Sequence, residues 1–198
     1  MTDKKAMRKI YLERRKALSA EERKKADSGI NSFLSQIDEM SSGGICGYVS
    51  DGTEPDLRDF LEKKRCAGQC VFLPRSAGDA KNISYEMAEM NVSWDSLGKG
   101  AFGIPEPGEE SRPLPRGDYE KMVWLVPGVA FDRTGARLGR GKAVYDRMLG
   151  MKPRLTIGVL YECQLCESVP CEEHDVKMDM LVTEKGIIRC ALKNRRTE

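Results

Sequence analysis

Charge of one sign is what this sequence has least of. Lysine and arginine number 33 against 31 aspartates and glutamates, a net charge of +2. That field is too weak to imply a nucleic-acid partner. No apolar run approaches the length of a bilayer span, so no membrane partner is expected. The stretch MTDKKAMRKIYLERRK lacks the apolar core of a secretory leader. Its acidic Asp3 and Glu13 speak against an organelle presequence, and a cytoplasmic protein is expected. Histidine occurs once, at His174. There is no internal repeat and no low-complexity tract.

Cysteine is present but in an odd number, seven. A chain of 198 residues is long enough to fold around its own core without covalent staples. Free thiols in a reducing compartment therefore fit best. Cys163, Cys166, Cys171 and His174 form one suggestive cluster. Its first pair has zinc-like spacing and its second half does not, so incidental cysteines are favoured.

The remaining pattern alternates helix and strand. Residues 4–16 read as a charged helix with Met7, Ile10 and Tyr11 as its apolar stripe. Its clustered cations, including Lys4, Arg8, Arg14, Arg15 and Lys16, read mostly as a solvated face. Ser19 and Glu22 have capping-box spacing and open a second helix, expected to reach about Ile37. ICGYVS gives a strand from Ile45 to Val49, and Pro55 starts a helix that Gly68 ends. A second strand is expected over Cys70 to Leu73, closed by Pro74, followed by an antiparallel or irregular excursion from Ser76 to Trp94. FGIPEPGEESRPLPRGD, rich in proline and glycine, reads as a loop crossing the surface. KMVWLVP, LTIGVLY and MLVT read as buried parallel strands, with a terminal hairpin through Glu184–Lys185–Gly186 into IIR. Trp124 is read as core. This order implies an α/β fold: a single domain over 1–198, a three-layer α/β/α sandwich with a mostly parallel open sheet.

Such sheets bind ligands at the carboxyl ends of their strands. RLGRGKAVYDRML, Arg137 to Leu149, falls after one of those ends. A helix expected from Lys142 or Ala143 puts Gly139, Arg140, Gly141 and Lys142 at its start, where N–H groups and the helix dipole favour an anion. Arg137, Arg140 and Lys142 add charge. The Walker pattern fails because Ala136 and Ala143 replace its glycine and hydroxyl residue; the dinucleotide fingerprint fails at Val144. A phosphate site and a glycine turn with solvated cations both remain open on composition alone.

VPGVAFDRTGARLGRGKAVYDRML closely resembles the signature of the 5-formyltetrahydrofolate cyclo-ligase family. KKAMR, GYVSDGTEPD, VFLPR, FGIPEP and HDVKMDMLVTEKGIIR are similar to its other blocks, in order, over nearly all of the chain. The resemblance implies ATP-dependent closure of 5-formyltetrahydrofolate to 5,10-methenyltetrahydrofolate. ATP and Mg2+ would be required, and the partners would be a reduced folate, polyglutamylated or not, and ATP. A monomer is expected.

The resemblance also implies roles. Lys4, Arg8, Arg137, Leu138, Gly139, Arg140, Gly141, Lys142, Ala143, Val144 and Tyr145 would bind ATP. Val49, Glu54, Arg140, Gly141, Lys142, Ala143 and Val144 would border the folate. Arg140, Lys142 and Tyr145 would be catalytic, and Asp146 and Asp179 would hold magnesium. Asp175, four residues before Asp179, would share a helical turn with it as a spare ligand. The family has glycine and tyrosine where this chain has Ala143 and Val144. If position 143 needed a left-handed backbone, alanine would cost about 1–2 kcal/mol. A non-catalytic relative with a degraded site is therefore the alternative. A sugar-phosphate isomerase would explain the basic loop but not a need for ATP.

Overall fold

The computed structural model describes residues 3–77, 84–100, 103–141, 144–172 and 175–190, with only the backbone of Val144. Helices α1 and α2 span Lys4–Lys16 and Ala20–Leu34. Asp3 caps α1 by accepting from the Lys5 N–H at 2.9 Å. Ser19 and Glu22 form the expected capping box: the Glu22 N–H donates to Ser19 Oγ and the Ser19 N–H to the Glu22 carboxylate. Helix α2 stops three residues short of Ile37, and a 3-10 turn follows at Asp38–Met40. Strand β1 is Ile45–Cys46, α3 is Arg58–Cys66 and β2 is Val71–Ala77. Next come β3 (Ser84–Glu89), β4 (Gly98–Lys99), β5 (Pro105–Glu106) and β6 (Val123–Val126). Then follow β7 (Ala130–Asp132), β8 (Arg137–Leu138), α4 (Val144–Leu149) and β9 (Leu155–Val159). The chain closes with β10 (Leu165–Cys166), β11 (Met180–Thr183) and β12 (Gly186–Arg189).

Seven strands make the main sheet in the order β12-β11-β9-β6-β1-β2-β3. The inner pairings are parallel; β12 and β3 add antiparallel edges. Successive side chains of a strand face opposite ways, and the core divides accordingly. Ile45, Val123, Leu125, Ile157 and Val159 pack with Ile30 and Leu34 of α2 and Phe60 and Leu61 of α3. Cys46, Trp124, Val126 and Leu181 face Met148 and Leu149 of α4 and Tyr119. Burying a side chain such as Ile30 or Leu34 contributes roughly 1.5–3 kcal/mol, so these two faces hold the three layers together.

Strand β2 runs through Pro74, which was expected to end it, and pairs Pro74 with Met87. Its parallel partner β1 ends at Cys46, opposite Phe72. One side of β2 therefore has no neighbouring strand at Pro74, the position in which a missing N–H is tolerated. The expected continuation of β1 to Val49 likewise gives way to loop after Cys46.

Between β6 and α4 the chain forms the β7–β8 hairpin, which β10, following β9, joins in a small second sheet of order β10-β7-β8. Asp132 organises it. Its Oδ1 accepts from the N–H and hydroxyl of Thr134 and from the Ala136 N–H, closing the β7–β8 hairpin, and its Oδ2 accepts from the Val169 N–H at 2.8 Å. Gly135 has φ 87°, and a Cβ there would lie 2.2 Å from the Met178 carbonyl oxygen. Only glycine fits this turn against that segment.

Candidate active site

The chain leaves β1 toward β2 on one side of the sheet and leaves β6 toward β9 on the other. Such a reversal opens a crevice at the carboxyl ends of the two strands. A cleft of 420 Å³ lies there. Tyr48 and Val49 line it after β1, and Pro127 and Gly128 after β6. One end is walled by Arg137, Gly139, Arg140, Gly141, Tyr145 and Asp146; the other by Pro74, Ser76, Tyr85, Ile104, Pro105 and Glu106.

The loop end is a lattice of arginines and carboxylates. Arg140 Nη2 contacts Asp51 Oδ2 and donates to Glu54 Oε1 at 2.9 Å. Arg15, only 1% exposed, has Nη1 3.5 Å from Glu54 Oε1 and Nη2 3.5 Å from Asp51 Oδ2. It also donates to Thr53 Oγ1 at 2.7 Å and to the Gly128 carbonyl at 3.4 Å. Asp51 Oδ1 accepts from the Thr53 N–H, the Thr53 hydroxyl and the Glu54 N–H, a turn that Asp-Gly-Thr forms locally. Burial pushes the Asp51 carboxyl up, but the bonds from Arg140 and Thr53 outweigh it and hold the group at about 2. For Glu54 burial wins, raising its carboxyl above the ordinary value despite Arg140 and Arg15.

Arg137 is 5% exposed at its side chain and pairs with Asp146. Its Nε is buried without a partner among the described residues, and its guanidinium lies 5.9 Å from the Tyr145 ring centroid. Burial raises the Tyr145 phenol, so it stays protonated at neutral pH and can donate. Arg8 Nε donates to the Gly139 carbonyl at 2.9 Å. Arg15, Arg137 and Arg140 thus meet Asp51, Glu54 and Asp146, and Arg8, bonded to the Gly139 carbonyl, brings a fourth cation beside the three anions. An anion entering here meets positive charge already held in place.

The structure places the expected residues unevenly. Val49, Glu54, Arg137, Gly139, Arg140, Gly141, Tyr145 and Asp146 line the cleft, and Arg8 adjoins it. Lys4 lies one helical turn before Arg8, its ammonium bonded to Glu172 at 2.9 Å with Asp175 at 3.7 Å. The Leu138 side chain is buried in a small core with Met7, Ala130, Ala136 and Val169. Lys142 and Ala143 lie outside the described residues, and α4 is described from Val144. His174 lies outside them too. Among the described residues, no group of three or more histidine, cysteine or acidic side chains could hold a metal ion. Cys166 instead donates to the Phe131 carbonyl.

The magnesium pair is not assembled. Asp179 immediately precedes β11, and its carboxylate accepts from the N–H (2.8 Å) and hydroxyl (2.9 Å) of Thr156 in the first turn of β9. Both lie at the amino ends of parallel strands, the edge opposite the cleft. Strands of four to five residues separate the edges by roughly 13–17 Å. Residues 175–178 form no helix, so Asp175 and Asp179 do not share a turn. Asp146 alone of the two expected ligands faces the cleft. One carboxylate suits magnesium that arrives on phosphate oxygens with its waters, and does not suit a cage built by the protein.

Arg15, Asp51, Ser76 and Glu106 also stand at or behind the cleft, outside the set expected from the sequence. Arg15 carried a signal: Met7, Tyr11 and Arg15 are spaced by four and share one helix face, so the apolar stripe runs into the arginine. Ser76 and Glu106 carried none, because the loop crossing alone brings them together.

The 5-formyltetrahydrofolate cyclo-ligase family model matches residues 1–184. The cyclo-ligase of Mycolicibacterium smegmatis is 32% identical over 188 residues, covering 93% of this chain and 96% of that protein. The Saccharomyces cerevisiae enzyme is 34% identical over 177 residues, with 78% and 82% covered. The NMR structure of Aquifex aeolicus 5,10-methenyltetrahydrofolate synthetase superposes with a TM-score of 0.81 at 33% identity, covering 98% of each chain. With a cleft of this form at the switch point of its sheet, the chain belongs to the 5-formyltetrahydrofolate cyclo-ligase family.

Proposed function

We propose that this chain catalyses ATP-dependent closure of 5-formyltetrahydrofolate to 5,10-methenyltetrahydrofolate, releasing ADP and phosphate. The observation that carries this reading is the arginine lattice around Arg140, opening onto an apolar cleft. The formyl oxygen attacks the γ-phosphorus and ADP leaves. Oxide, a poor leaving group, becomes phosphate. Folate N10 then attacks the activated carbon, losing its proton, and phosphate departs. Such chemistry asks the protein for alignment and charge neutralisation. Arg140 and Arg137 meet the γ-phosphoryl group from fixed positions, Arg8 fixes the loop carbonyl at Gly139, and the Tyr145 phenol donates to a phosphoryl oxygen. Lys142 adds a further cation. Asp146 is the residue that would hold a magnesium ion brought by the nucleotide, and such an ion would neutralise phosphate charge.

The named cyclo-ligase relatives favour a working enzyme over a non-catalytic one. We read the chain as one domain acting as a monomer in the cytoplasm, a reducing compartment that suits its seven unpaired thiols. The test is direct. With ATP, magnesium and 5-formyltetrahydrofolate, the methenyl product appears by its near-ultraviolet absorbance, with one ADP per product. Ligand-induced thermal stabilisation without ADP at high enzyme concentration would reject this reading.

A further inference from the structure

The strand end of the cleft contains a carboxylate that the proposed chemistry does not use. Asp51 and Glu54 are paired with Arg15 and Arg140, and Asp146 with Arg137. Glu106 is the exception. It is half-buried, lines the cleft, and is bonded only to Ser76 among the described residues.

Its position is fixed from three sides. The Ser76 N–H donates to Oε2 at 3.0 Å, and the Ser76 hydroxyl sits 2.7 Å from Oε1 and 3.0 Å from Oε2. The β4–β5 ladder pairs Gly98 with Glu106. A Cβ at Gly100 would lie 2.2 Å from Oε2, so a glycine is needed there for the carboxylate to lie where it does. Ser76 brings two hydrogens, whereas a carboxylate accepts about four. Roughly two acceptor positions remain open, on a group already half removed from water. Around it stand Pro74, Tyr85, Ile104 and Pro105, surfaces suited to the faces of a flat heterocycle. Ile104 is 38% exposed, one of two large apolar side chains left so open among the described residues.

We infer that Glu106, held by Ser76, is the specificity-determining residue that accepts from the adjacent ring N–H and exocyclic amino group of the pterin. This rests on the proposed reaction. A carboxylate matches two donors side by side. The adenine edge sets an acceptor beside its amino group, which would face a carboxylate oxygen and be repelled. Phosphates are drawn to the opposite, arginine-lined end. Glu54 differs from Glu106, because one of its oxygens is shared by Arg15 and Arg140. Seating the pterin at Glu106 points N5, with its formyl group, toward the phosphoryl site.

The experiment needs no mutation at first. Wild-type protein is given 5-formyltetrahydrofolate and its analogue with hydrogen in place of the pterin amino group. The analogue should bind about tenfold or more weakly, since charge-assisted bonds of this kind are among the strong ones. Glu106→Gln should raise KM for the folate about tenfold or more, leave KM for ATP within twofold, and abolish discrimination between the two folates. Ser76→Ala, which keeps the carboxylate but loosens it, should raise folate KM by a smaller factor. Equal binding of both folates by the wild type overturns the inference. So does a Glu106→Gln effect confined to ATP. A wild type that turns over neither folate rejects the reaction itself, a separate outcome.

Discussion

The two ends of the cleft treat negative charge in opposite ways. At the loop end each carboxylate is bonded to a guanidinium, and cations outnumber anions. At the strand end Glu106 is held by a neutral serine and keeps its acceptor capacity. The first arrangement spends its carboxylates on aiming arginines, leaving a surface that attracts anions. The second leaves an acceptor for neutral N–H donors. On the proposed reading one wall of residues sorts a phosphate from a heterocycle by how its own charges are compensated, and the comparison can be tested from one end without the other.

Arg15→Met is the severest disturbance. It removes a buried cation and leaves Asp51 and Glu54 sharing Arg140, which should destabilise the protein by about 3–5 kcal/mol. KM for ATP should rise while folate KM stays within threefold. Denaturant unfolding and steady-state kinetics read both; an equal rise for the two substrates breaks the division between the ends.

A smaller effect compares the two edges of the sheet. Asp146→Asn should lower kcat about 100-fold, because it removes the carboxylate facing the phosphates, and should cost about 2–3 kcal/mol, because it leaves the buried Arg137 without its carboxylate. Asp179→Asn should leave kcat within threefold and cost about 1–2 kcal/mol, because Thr156 loses a charged acceptor. Loss of magnesium dependence in Asp179→Asn would return that residue to the site.

The smallest effect is on pH. The Glu54 carboxyl is raised by burial, so the folded state takes up its proton more readily than the unfolded chain, and stability increases as the pH falls toward that group. The Asp51 carboxyl is depressed from 3.8 to about 2, so its contribution is full above 3.8 and is lost as the pH falls toward 2. Melting temperature should pass through a shallow maximum on the acid side. Glu54→Gln should flatten the rise and Asp51→Asn the fall.

Much of the framework was legible because local physics decides it. The Ser19 capping box, the bounds of α1 and the apolar runs of β6, β9 and β11 depend on neighbours in sequence. Arg140 and Asp146 were legible through a motif. Arg15 was read as solvated because charge composition carries no information about which helix face meets Asp51. Pro74 was read as a strand end because the length of the neighbouring strand is a tertiary fact. Asp179 was read as a ligand although topology puts its end of the strand on the far edge. Ser76 and Glu106, 30 residues apart, meet only because the proline-rich loop returns over β2.

The hairpin anchored by Asp132 and Gly135 has one more consequence. Met178 donates its N–H to the Gly135 carbonyl at 2.8 Å, and Met178 leads directly into β11 of the main sheet. Arg137 and Leu138 are therefore strung between two sheets and belong to the cooperative unit that folds. Each residue ordered in that way has already lost about 1–2 kcal/mol of backbone freedom before a nucleotide arrives. That part of the loop is set when the chain folds, so on the proposed reading a nucleotide meets Arg137 and Leu138 already in place.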